Sequence, residues 1–113
     1  WLRDQANEAI LHAQEAGEWI TTLGGHPSLG IGPLLETHKH DIGDIMRESL
    51  RSEQESINMY RELLSHVEGR SVALEEYARR MIHEEIKHAS EVDKMLRKPG
   101  DVSTFSSRLE STH

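Results

Sequence analysis

Between Leu74 and Leu96 apolar side chains recur at Leu74, Ala78, Met81, Val92 and Leu96, and Glu85 and His88 fill the steps between them. Steps of three and four residues mark one face of a helix. Glu85 and His88 therefore fall on the face that such a helix turns toward a core. A carboxylate and an imidazole there are costly unless something pairs with them. Glu84, Lys87 and Glu91 fall off this face and read as an ordinary solvated charge run. Any fold proposed for the chain has to give Glu85 and His88 a partner.

The rest of the chain is organised around two further helices. The first spans Leu2 to Leu23, with Leu2, Ala6, Ala9, Ala13, Ala16, Ile20 and Leu23 as its expected inner face. Gly24-Gly25 ends it, because glycine readily takes the left-handed conformation at a helix C-terminus, and Pro27 blocks continuation. The connection from Gly24 to His40, with Pro27, Gly30, Gly32 and Pro33, is longer than most connections in compact domains. A helix of about 22 residues is about 33 Å long. A connection of this length can run back along it, so that the next helix starts at the same end. The second helix spans Asp41 to Val67, with Asp41 as N-cap. Its inner stripe is Ile42, Met46, Ser49, Glu53, Ile57, Tyr60, Leu64 and Val67, while Glu48, Glu55 and Glu62 read as solvent-facing. Glu53 thus interrupts a largely apolar face midway along the helix. Tyr60 reads as a core aromatic with its hydroxyl at the rim.

Glu68-Gly69-Arg70 is a tight turn, Ser71 can cap the third helix, and so short a connection makes the two helices antiparallel neighbours. Arg97-Lys98 followed by Pro99-Gly100 is a stop signal. The expected architecture is all-α: an antiparallel four-helix bundle with a long crossover, of which this chain holds three long helices, at about 2–23, 41–67 and 71–98. Residues 1–100 form the bundle, and 101–113 are a polar, flexible tail. Three helices leave an apolar groove, so a fourth helix or a partner is expected to fill it. The chain starts at Trp1 already in helical pattern, and the expectation is that it begins partway into a domain.

Composition narrows the function. The net charge of -7 argues against nucleic acid as a partner, because phosphate binding needs clustered Lys and Arg. No apolar run approaches the roughly 20 residues that a membrane helix needs. The chain has no cysteine, which removes disulfides, thiolate zinc sites and cysteine nucleophiles and fits a cytoplasmic protein. Its 8 histidines are many for 113 residues. His38-x-His40 reads first as a pair of solvent-facing loop residues and only second as a metal site.

An internal match points to what the buried pair is for. Glu8, Ile10, His12, Ala13 and Glu15 align with Glu84, Ile86, His88, Ala89 and Glu91. Two related helix hairpins would give such a match, each with a carboxylate on its first helix and a carboxylate and a histidine on its second. The second hairpin is complete in Glu53, Glu85 and His88. The first has only its second helix.

At this point the chain resembles a ferritin-like domain. Asp41 to Gly100 looks like its second half, with Leu50-Arg51-Ser52-Glu53 and Glu85-x-x-His88 as the ligand pattern. Leu2 to Leu23 looks like the second helix of the first half. His12-Ala13 and Leu23-Gly24-Gly25-His26-Pro27 resemble the bacterioferritin branch in particular. The resemblance covers about residues 2–99. It implies a bundle holding two irons through four carboxylates and two histidines, and carries over to His12, Glu53, Glu85 and His88. The position of the family's bridging carboxylate on the first hairpin is Ala9. Glu8, one residue earlier, is the candidate replacement if the helix is locally rewound. The alternative is that both hairpins use the earlier carboxylate, Glu8 and Glu84. The family's haem-ligating Met corresponds to Ile10, so haem is not expected through that ligand.

The resemblance implies a di-iron carboxylate protein, a ferroxidase that oxidises Fe(II) with O2 or peroxide for iron storage or detoxification. It also implies a homo-oligomer, either a dimer or a cage. Carboxylates and imidazoles suit iron and equally manganese or zinc. Two other readings stay open. One is a different di-metal oxidoreductase, such as a manganese catalase or an oxidase of organic substrates. The other is a non-enzymatic helical interaction module with a degenerate metal site, favoured by Ala9 and by the helix missing before Leu2.

Overall fold

A computed structural model describes residues 1–28, 30 and 41–97, and all three of its elements are α-helices: α1 (Leu2–Thr22), α2 (Ile42–Val67) and α3 (Val72–Leu96). The expected helix bounds hold to within two residues. Asp41 and Ser71 are the N-caps of α2 and α3, as expected from the sequence. The crossover at 29 and 31–40, with His38 and His40, and the tail from 98 onward lie outside the described residues. The chain divides into two compact units, Trp1–Leu34 and Leu35–His113.

In the first unit, α1 closes as the sequence expects. Gly24 takes φ of 89°. Its N–H donates to the Thr21 carbonyl at 3.0 Å, and that of Gly25 donates to the Ile20 carbonyl at 2.9 Å. These paired bonds satisfy carbonyls that the helix end would leave open, and the left-handed residue that makes them possible is a glycine. The expected inner face is corrected: α1 has no buried residue, and Leu2, Ile20 and Leu23 are exposed. The unit contains no second described helix, so that stripe has nothing within its own unit to pack against.

The second unit is an antiparallel helical hairpin. The Asp41 carboxylate accepts from the Gly43 and Asp44 N–H groups at 3.0 and 3.3 Å and so starts α2. The Ser71 hydroxyl accepts from Leu74 N–H at 3.3 Å and starts α3. Between them Gly69 sits at φ of 75°, and Arg70 and Ser71 N–H both donate to the Val67 carbonyl. Arg79 reaches Glu75 at 3.3 Å and Glu68 at 3.5 Å, tying the turn to the first turns of α3. A side-chain cap is worth about 1 kcal/mol. Ser71→Ala should accordingly lower stability by about that amount, and a thermal melt that does not move would mean that the cap is idle.

The hairpin core contains Ile57 and Ala89, with Leu50 and Ile86 packed against them. Met81, Ala78, Tyr77 and Val92 are also buried. The α2 stripe from Met46 to Val67 is covered as expected, but two positions are corrected. Ile42 is 65% exposed, in the first turn just after the cap. Glu48, expected in solvent, is half-buried and holds an interaction. On α3 the buried band is wider than the single ridge expected, taking in Tyr77, Ala89 and Asp93. The Tyr60 and Tyr77 rings meet edge to face with centroids 6.1 Å apart, and Arg80 lies over Tyr77 at 5.7 Å.

Candidate metal centre

Glu53 comes from the middle of α2, and Glu85 and His88 from successive turns of α3. Residues three apart on a helix are neighbours on one face. The antiparallel hairpin then sets the two helix midpoints against each other. As a result one ligand atom from each of Glu53, Glu85 and His88 lies within 4.8 Å of the others. Glu85 is only 6% exposed, and Glu53 and His88 are half-buried. Ile57 and Ala89, one residue or one turn along from these groups, form the floor of apolar contacts.

Two carboxylates this close repel each other, and burial removes the water that would screen them. The Glu53 Oε2 atom is buried and has no hydrogen-bond partner. Buried polar atoms left in this state are uncommon and call for a reason. A divalent cation is a sufficient one: it supplies the missing partner and offsets the carboxylate repulsion. The donor set fits as well, since an imidazole with two carboxylates suits iron, manganese or zinc better than the oxygen-only shells of magnesium or calcium.

The two adjacent glutamates on α3 have different surroundings. Glu85 is buried in the cluster, whereas Glu84 reaches Arg80 at 3.7 Å on the more exposed side of the helix. On α1, Glu8 Oε1 and His12 Nε2 lie 3.8 Å apart, one helical turn from each other. Both residues therefore offer donor atoms along one strip of that helix.

One ionic group escaped the sequence reading. Asp93 is buried, and its carboxylate accepts from Arg97 at 2.8 Å, while Arg97 Nε is buried with no partner. The i, i+4 spacing of Asp93 and Arg97 was the available signal.

Comparison with known families matches the chain over residues 1–100 to the ferritin-like domain model. Neither curated proteins nor solved structures give a match. With three helices, the hairpin-borne cluster and a family match over most of its length, the chain belongs to the ferritin-like domain family.

Proposed function

We propose that this protein binds iron through carboxylates and histidines inside its helices and oxidises Fe(II) with O2 or peroxide, as a ferroxidase of the bacterioferritin type serving iron storage or detoxification. The observation that carries this reading is the Glu53–Glu85–His88 cluster with its orphaned Glu53 oxygen. The internal sequence match extends the proposed ligand set to Glu8 and His12.

Fe(II) is the substrate. Two Fe(II) give up two electrons, which with two protons convert O2 to hydrogen peroxide, or peroxide to two waters. In this scheme Glu53 and Glu85 bind as anions and offset the rising charge of the oxidised metal. His88 binds as the neutral imidazole. The apolar floor at Ile57 and Ala89 keeps bulk water from the back of the site. A cytoplasmic location and assembly into a dimer or cage belong to the same proposal. Supporting them are the absence of cysteine and the exposed apolar Ile10 and Leu11 on α1 and Leu23 at its C-cap. No helix among the described residues is long and apolar enough to cross a membrane.

Ala9 favours a second reading, a metal-binding bundle without oxidase activity, because it removes the carboxylate that the family resemblance expects there. An anaerobic Fe(II) titration followed by air separates the two. Ferric absorbance should rise much faster than in buffer, and Glu85→Ala should abolish the difference while helix content stays intact. Oxidation no faster than in buffer, in protein that has bound Fe(II), would leave the binding reading alone standing.

A further inference from the structure

We infer that Tyr60, held edge to face against Tyr77, is a one-electron donor to the proposed iron site, supplying the second electron when one bound Fe(II) meets peroxide. This rests on the reading that the Glu53–Glu85–His88 cluster takes iron, and it adds what aromatic residues of the chain contribute to the oxidation.

The tyrosine pair lies in the same hairpin as the cluster, nearer its turn. Tyr60 follows Glu53 by seven residues on α2, and Tyr77 precedes Glu85 by eight on α3. At a rise of about 1.5 Å per residue these steps come to about 10 Å and about 12 Å along the helices. The helices are antiparallel, so both steps run toward the turn and the rings meet, with centroids 6.1 Å apart and planes at 85°. Between the rings and the cluster the hairpin is closed. Ile57 on α2 and Met81 on α3, each about one turn from a tyrosine and from a proposed ligand, are both 0% exposed. An electron can cross packed side chains over such a distance, and no bond has to form between ring and site.

The two rings are not equivalent. The Arg80 guanidinium lies over the Tyr77 ring at 5.7 Å. A cation there is attracted to the electrons of the ring face and opposes their removal. Tyr77 is also buried, while Tyr60 is half-buried. A phenol that loses an electron loses its proton as well, and the half-buried ring has the shorter way to release it to water. Both effects place the oxidised state on Tyr60.

The electron count sets its role. One Fe(II) gives one electron, and reduction of peroxide to two waters takes two electrons and two protons. With iron alone, the products are Fe(III), hydroxide and a hydroxyl radical. With Tyr60, the phenolic O–H bond breaks instead. Its electron goes to peroxide and its proton to solvent, and the products are Fe(III), two waters and a tyrosyl radical. A later Fe(II) returns one electron, which with one proton restores the phenol. The sum is two Fe(II), one peroxide and two protons giving two Fe(III) and two waters, even when the two Fe(II) arrive one after the other.

The test is freeze-quench electron paramagnetic resonance on the full chain, loaded anaerobically with one Fe(II) and mixed with one equivalent of hydrogen peroxide. Tyr60 and Tyr77 are the only tyrosines in the chain, so a tyrosyl signal comes from one or the other. The expected result is a radical that forms together with Fe(III), narrows in protein made with ring-deuterated tyrosine, and decays when more Fe(II) is added. Tyr60→Phe keeps the ring but should lose the signal, and with a spin trap it should give more hydroxyl-radical adduct than wild type. Tyr77→Phe should keep the signal. Circular dichroism and native mass spectrometry check that both variants fold and bind iron. Fe(III) formed without a tyrosyl signal, or a signal that survives Tyr60→Phe, would overturn the inference and leave the ferroxidase reading intact. Iron that does not bind, or that peroxide oxidises no faster than in buffer, would overturn that reading and the inference with it.

Discussion

Metal-free protein carrying Glu53→Met should melt higher than the wild type, by about 4–8 °C, and should lose its response to zinc. The first half follows from the cost of the site. Glu53 Oε2 is buried without a partner and lies in a cluster with the Glu85 carboxylate. An unsatisfied buried polar group costs about 1–3 kcal/mol. Glu53 as a whole is only half-buried, so the lower end of that range applies. Methionine has a similar length, no charge and the flexibility to fill an irregular gap. A gain of about 1 kcal/mol corresponds to about 4–8 °C in a domain of this size. The second half follows from mass action. A ligand that binds only the native state adds about 2.7 kcal/mol when present at 100 times its Kd. Wild type should therefore overtake the variant once zinc is saturating, and the order of the two melting curves should invert. A variant that melts lower than wild type without metal, and still rises with zinc, would show that Glu53 serves the fold and not a metal.

That inversion is the physical form of a general point about this chain. The features that pointed to the candidate site in the sequence were departures from good folding practice. Glu53, Glu85 and His88 sit on stripes otherwise reserved for apolar residues, and the stripes themselves followed from spacing alone. The same regularity made the helices legible, and the punctuation was equally plain: Gly24 with its left-handed turn, Asp41 and Ser71 with their capping bonds, and Gly69 in the turn between α2 and α3. Because α2 and α3 are joined by so short a link, their pairing and the meeting of Glu53 with Glu85 and His88 followed almost from chain length.

What escaped was set by packing and not by spacing. Tyr77 and Ala89 lie one residue off the ridge drawn through Ala78 and His88, and they are buried because α3 presents a band wider than a single ridge. Asp93 is buried because Arg97 neutralises it one turn on, which charge counting cannot show. Ile42 has the right spacing but stands in the first turn, past the reach of the core. The face of α1 was misjudged for a related reason. Small alanines at regular spacing say that a helix could be approached closely, but burial depends on having something to approach it, and its own unit has no second described helix.

The largest loss of stability is expected from Ile57→Ala, at about 2–5 kcal/mol. Ile57 is 0% exposed, packs with Ala89 and is flanked by Leu50 and Ile86. Truncation removes three buried carbons and leaves a void that Ala89, itself a single methyl, cannot fill. Set against a total of about 5–15 kcal/mol for a typical domain, that is a large fraction. Ile57→Val keeps the branched shape and should cost only about 0.5–1.5 kcal/mol. Urea unfolding would show the loss as a lower midpoint at unchanged slope if both states keep their compactness. Because Ile57 is one helical turn from Glu53, the cavity also loosens the support under the proposed metal ligands. Zinc should raise the midpoint of Ile57→Ala by less than it raises that of Ile57→Val at the same concentration, since the softened site binds more weakly. Equal increments would mean that the ligand geometry is held by the helix backbones alone. A loss under about 0.5 kcal/mol, as at an ordinary surface position, would mean that the α2–α3 contact is not the core of this unit.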